Sequence, residues 1–166
     1  MTKVVNIHAS CIRLARAAAA FGAPRSAGVL LLGDSGSGKS DLALRLIGRG
    51  AELVADDRTE LHVERRQLIA RAPSRLAGYI ELRGLGIIEL PHAGSVGIAL
   101  VVDLAGKVKR LPARRFYTPP RALALPGSAR PVMFALSAFD GSAPDKIIAA
   151  VAALHHKAWR DAVKSN

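Results

Sequence analysis

Cysteine is nearly absent from the 166 residues; Cys11 is the single one. That excludes a disulfide framework and a cysteine-built zinc module. No apolar run approaches the roughly 18–20 residues that span a bilayer as a helix. Met1-Thr2-Lys3-Val4-Val5-Asn6 also lacks the basic-then-apolar order of a secretory signal. These absences predict a soluble, cytoplasmic chain with no membrane partner. Acidic residues are missing between Leu104 and Phe139, where Lys107, Lys109, Arg110, Arg114, Arg115, Arg121 and Arg130 all fall. The net charge of +11 attracts anions, whether nucleic acid, phosphorylated ligands or an acidic protein surface, or is simply a solvated face. Aromatic stacking platforms and a recognisable nucleic-acid module are lacking as well, which argues against nucleic acid.

What is present is apolar. Half of the residues are hydrophobic, enough for one packed core. With no repeat and no long linker, residues 1–166 read as a single domain. Glycine and proline punctuate short apolar runs, the rhythm of strands and turns. Val4 to Ile7 and Cys11 to Leu14 are expected as paired short strands, with a helical turn or loop from Ala15 that ends before Pro24. Gly28 to Leu32 predicts a buried strand, and Asp41 to Ile47 a helix stopped at Gly48. Leu53-Val54-Ala55, Leu61-His62-Val63, Tyr79 to Leu82 and Gly86 to Leu90 predict further strands. Ile98 to Val102 is continuous and apolar, as in an interior strand covered on both faces. Leu111 to Pro131 holds five of the nine prolines and reads as loop or edge strand. Pro144 to Val163 predicts a helix from its 3–4 spacing, with Ser142 as its cap and Asp145 against its dipole.

Chemistry enters with Gly33-Asp34-Ser35-Gly36-Ser37-Gly38-Lys39-Ser40, which satisfies G-x-x-x-x-G-K-[ST] between an apolar strand and a helix. The glycines let the backbone curl so that successive N–H groups point at phosphate oxygens. The helix start adds its positive end. Lys39 would reach the outer phosphates and the Ser40 hydroxyl would bind Mg²⁺. Phosphoryl transfer also needs an acid to hold metal or accept a proton. Two strand ends compete for that role, Asp103 after Ala99-Leu100-Val101-Val102 and Asp56-Asp57 after Leu53-Val54-Ala55. Adjacent carboxylates beside phosphates would repel, leaving one able to carry a proton. An aspartate pair at a strand end also serves simply as a turn cap.

Four segments together resemble the catalytic domain of the HPr kinase/phosphorylase family. They are Ile7-His8-Ala9-Ser10, the 33–40 loop with its helix, Leu53-Val54-Ala55-Asp56-Asp57, and Glu81-Leu82-Arg83-Gly84-Leu85-Gly86-Ile87-Ile88. The last is similar to the family's signature and has no counterpart in ordinary P-loop proteins. The resemblance implies an α/β fold, a P-loop domain of the phosphoenolpyruvate carboxykinase-like type with a mixed sheet and flanking helices. It implies that residues 33–40 hold ATP or pyrophosphate, with Lys39 on the transferred group. Ser40 and Glu81 would ligate Mg²⁺, and Asp57 would be the base facing the substrate serine. His8 falls beside that base; alone it would read as a packed or hydrogen-bonded histidine. Arg110 matches a catalytic arginine, or is a surface arginine in a basic loop.

The implied activity is ATP-dependent serine phosphorylation of a phosphocarrier of the HPr type, with reversal by phosphorolysis. The partners implied are that carrier and further copies of the chain in a hexameric ring. The start so near His8 gives the expectation of a chain without the family's N-terminal domain, a layout that resembles a compact proteobacterial form. Leu125-Pro126-Gly127-Ser128-Ala129-Arg130 matches the family's dephosphorylation segment loosely, so the kinase direction is expected first. Three other classes use the same loop: a small-molecule kinase, a nucleic-acid-associated NTP-binding protein, and a nucleotide-binding protein without transfer activity.

Overall fold

The computed structural model describes residues 1–160. The long strand β1 (Val5–Arg13) leads through a 3-10 helix (Ala15–Phe21) into β2 (Gly28–Leu32) and α1 (Lys39–Gly48). β3 (Glu52–Ala55), β4 (Arg58–Glu64) and β5 (Gln67–Arg71) follow, then a separate hairpin of β6 (Tyr79–Leu82) and β7 (Gly86–Glu89). β8 (Val96–Asp103), β9 (Arg115–Phe116), β10 (Val132–Ala135) and α2 (Ala143–His155) complete the fold. It is a mixed α/β fold, as expected. Among the described residues no helix is long and apolar enough to cross a membrane.

Eight strands form one sheet in the order β2-β1-β4-β5-β8-β10-β9, with β3 on β1 and an added β2–β8 pairing. β2, β8 and β10 run parallel, so β2 and β8 end side by side at Leu32 and Asp103. β1 is antiparallel to its neighbours. Its first half pairs with β4, and its second half pairs with β2 and β3. Side chains alternate across these strands. Ile12, Val29, Leu31, Leu100 and Val102 face one core with Leu42, Leu46 and Ile147. Cys11, Leu30 and Val101 face the other with Leu61, Leu68 and Leu123. Each fully buried leucine or isoleucine contributes about 1.5–3 kcal/mol, and β2 and β8 gain on both faces, as their continuous apolar runs require.

The structure corrects several expectations. Residues 4–7 and 11–14 do not form two paired strands; 5–7 and 11–13 are parts of the single strand β1, whose polar middle is tolerated because buried Ser10 donates to Asp56. β5 is not marked off by a turn residue in the sequence, since the turn before it contains no glycine. Arg65 and Arg66 adopt the two left-handed conformations there, at φ 48° and 64°. The last helix ends at His155 instead of continuing to Val163. Lys157 turns left-handed (φ 53°), Trp159 lies beyond the helix, and Val163 falls outside the described residues. Ser142 precedes the helix without a side-chain capping bond, while Asp145 in the first turn pairs with Arg49 at 2.9 Å.

Candidate phosphate-binding site

The 33–40 loop joins the end of β2 to the start of α1, as the motif predicts. Gly38 has φ 90°, and a Cβ there would lie 2.7 Å from that of Ala138. Only glycine meets both conditions. The Lys39 ammonium donates to the carbonyls of Gly33 (2.6 Å) and Asp34 (2.9 Å). Burial lowers its pKa, against the opposing pull of Asp56, Asp57 and Asp34.

The two adjacent aspartates behave differently. Asp56 is buried; its Oδ1 accepts from Ser10 Oγ (2.7 Å) and Ser40 Oγ (2.8 Å), and its Oδ2 accepts from the Glu81 amide (3.1 Å). One carboxylate thereby ties β1, the loop's last residue and β6 together. Asp57 turns outward with a left-handed backbone, φ 62°. Its carbonyl accepts from the Ala9 amide, and its carboxylate, 61% exposed, lies 3.2 Å from His8 Nδ1. Asp103 is a turn cap: its Oδ1 accepts from the Ala105 and Gly106 amides, 3.0 Å each.

A cavity of about 440 Å³ opens over the loop, within the size range of small-ligand sites. His8, Lys39, Ser40, Asp56, Asp57 and Glu81 line it, with loop residues Ser35, Gly36 and Gly38. Thus most of the residues singled out in the sequence meet at one place. Arg110 does not line it; the exposed connection between β8 and β9 carries that residue at the surface. The guanidinium brought to the loop is instead that of Arg83, which would lie 3.9 Å from a Cβ on Gly36. Leu44, Leu82 and Phe139 supply an apolar part of the wall that sequence patterning did not indicate.

Ser40, Asp56, Asp57 and Glu81 offer hard oxygen donors, the kind Mg²⁺ prefers. Among the described residues, no three His, Cys, Asp or Glu side chains converge into a ready metal cluster. That is compatible with Mg²⁺, which is usually held by one or two carboxylates together with phosphates and water.

Fold and loop define a class: mixed α/β proteins with a G-x-x-x-x-G-K-S turn between a parallel strand and a helix. Within it, the family model described as HPr Serine kinase C-terminal domain matches residues 23–105. The chain belongs to that family. The matched span contains the loop, the aspartate pair and the β6–β7 hairpin, and leaves His8, Arg110 and Phe139 outside.

The HPr kinase/phosphorylase of Levilactobacillus brevis is 44% identical over 81 residues, covering 46% of this chain and 26% of that protein. That of Caldanaerobacter subterraneus subsp. tengcongensis is 40% identical over 94 residues, covering 54% and 31%. The matched region thus spans less than a third of these relatives' own length. The structure of the HPr(Ser) kinase/phosphatase from Coxiella burnetii shares the fold, with a TM-score of 0.69 and 24% identity over 92% of this chain and 97% of that one.

Proposed function

We propose that the chain is an ATP-dependent protein-serine kinase acting on a phosphocarrier of the HPr type, and that it reverses the reaction by phosphorolysis. The observation that carries this reading is the placement of Asp57. An exposed carboxylate, oriented by His8, opens into the same cavity as Lys39, Ser40 and the loop. Loop amides and Lys39 would hold the phosphates of ATP. Asp57 would take the proton of the acceptor serine as its oxygen bonds to the terminal phosphorus and ADP departs. In reverse, inorganic phosphate bonds to the phosphoserine phosphorus, the serine oxygen leaves with the proton held by Asp57, and pyrophosphate is released. Arg83 is the cation placed to neutralise charge at the loop; Arg110 would contribute only from a rearranged β8–β9 connection or a neighbouring subunit.

Ser40 and Glu81 would hold Mg²⁺, with Asp56 fixing the Ser40 hydroxyl. The ion, when bound, neutralises phosphate charge. Through the family match over residues 23–105 the proposal extends to the phosphoenolpyruvate carboxykinase-like type of P-loop fold, one catalytic domain over 1–166, a cytoplasmic setting and a ring-shaped homo-oligomer. The deciding test incubates purified chain with labelled ATP, Mg²⁺ and an HPr-type carrier. Lys39→Ala and Asp57→Ala should both abolish serine labelling, and only Lys39→Ala should greatly weaken nucleotide binding. Retained labelling in Asp57→Ala would overturn the assignment.

A further inference from the structure

The cavity has lining of two kinds. Ser40, Asp56, Asp57 and Glu81 are polar. Leu44, one helical turn after Ser40 along α1, and Phe139 are part of the apolar lining. Phe139 is 72% exposed, which places most of a phenyl ring at the wall of a polar cleft. The ring is nevertheless set in place. Its Cε1 and Cζ would lie 3.2 Å from a Cβ on Gly38, so its edge rests over the loop's last glycine. The carbonyls on either side of it are both held by Arg45, which donates to Ala138 and, at 3.1 Å, to Asp140. Arg45 in turn is oriented by Asp41 at 3.0 Å, one helical turn earlier. An exposed aromatic side chain whose flanking backbone is pinned from both sides loses little freedom on binding a flat ligand.

We infer that Phe139 forms a nucleobase-stacking subsite, and that Arg45 is the positioning residue that holds it there. The inference rests on the reading of residues 33–40 as a phosphate cradle and adds the base of the ligand. A base folded back beside phosphates at the loop would have the Phe139 ring and Leu44 in the same cavity to pack on. Stacking accepts any base, because each has a π-face. A phosphate donor with no base would gain nothing from this ring, so the subsite distinguishes ATP from pyrophosphate.

The test measures dissociation constants of ATP and pyrophosphate, each with Mg²⁺, for the full chain and for Phe139→Ala. ATP binding should weaken roughly 5- to 100-fold, while pyrophosphate binding stays within about twofold. Arg45→Gln should show the same split to a smaller extent. In Phe139→Trp, ATP should retain its affinity and quench the new fluorescence, while pyrophosphate should not; Trp159 of the unsubstituted chain gives the background. Unchanged ATP binding in Phe139→Ala overturns the stacking role alone. Equal weakening of both ligands also overturns it, since the substitution then acts through the loop. An unsubstituted chain that binds neither ligand overturns the phosphate cradle and the subsite together.

Discussion

His8 Nδ1 lies 3.2 Å from Asp57 Oδ1, so a histidine within β1 orients an acid on the turn that follows β3. Asp57 is otherwise loosely held, with Arg58 Nε 4.0 Å from its other oxygen. Removing the imidazole should leave the carboxylate in place but free to rotate. His8→Ala should therefore slow serine phosphorylation about 100-fold, the cost of misplacing a reacting group. ATP affinity should stay within about twofold. Steady-state kinetics and nucleotide titration on the same variant check both halves.

Asp56 and Asp103 provide a contrast between two strand-end acids. Asp56→Ala would strand the Ser10 and Ser40 hydroxyls and the Glu81 amide, at a cost of about 3 kcal/mol or more in stability. Asp103→Ala would lose two turn amides, about 1 kcal/mol, and keep its phosphorylation rate. Urea denaturation with activity assays on both variants measures this. An inactive but stable Asp103→Ala would move the chemistry to the end of β8 and away from Asp57.

Gly38→Ala should be worse for function than its single methyl suggests. The added carbon would meet Ala138 at 2.7 Å and the Phe139 ring at 3.2 Å, on a left-handed backbone. Binding of both ATP and pyrophosphate should fall at least tenfold, with about 1–3 kcal/mol lost in stability. Isothermal titration and thermal melts would show the two losses together.

The legible parts of the site are those where chemistry and local sequence coincide. The 33–40 loop and the Asp56-Asp57 pair carry their geometry in a few consecutive residues. Phe139 was not legible: it is brought to Gly38 across about a hundred residues by the β10–α2 connection, and nothing local marks it. Arg83 lies inside a recognised segment, but only the folding of the hairpin aims it at the loop. Element boundaries failed where backbone conformation ran against residue type. Arg65, Arg66 and Lys157 take left-handed turns that pattern reading reserves for glycine or asparagine. The division of β1 into two strands had a different cause. Ser10 looks like a break until its partner, forty-six positions away, is known.

Cys11 gives a pH-dependent signature of the core. Burial pushes its thiol well above the ordinary range, so the folded chain keeps the proton where the unfolded chain begins to lose it, near pH 8.5. The folded state then binds more protons, and stability falls as pH rises past that point, by about 1.4 kcal/mol per pH unit from this group. Lys39, shifted down, acts in the opposite direction below its ordinary value, and Tyr117, shifted up, acts in the same direction at higher pH. The difference between the unsubstituted chain and Cys11→Ala isolates the thiol. Denaturation midpoints between pH 7 and 10 should converge as pH rises, and parallel curves would contradict the burial.

β1 is a single nine-residue strand that carries His8 in its β4-paired half and runs beside β2, the strand feeding the glycine turn, in the other. The histidine that orients Asp57 and the strand alongside the anion cradle therefore share one continuous beam. Loss of that beam should disturb both at the same denaturant concentration, so no partly melted species should grip a nucleotide while lacking the histidine that orients its acid.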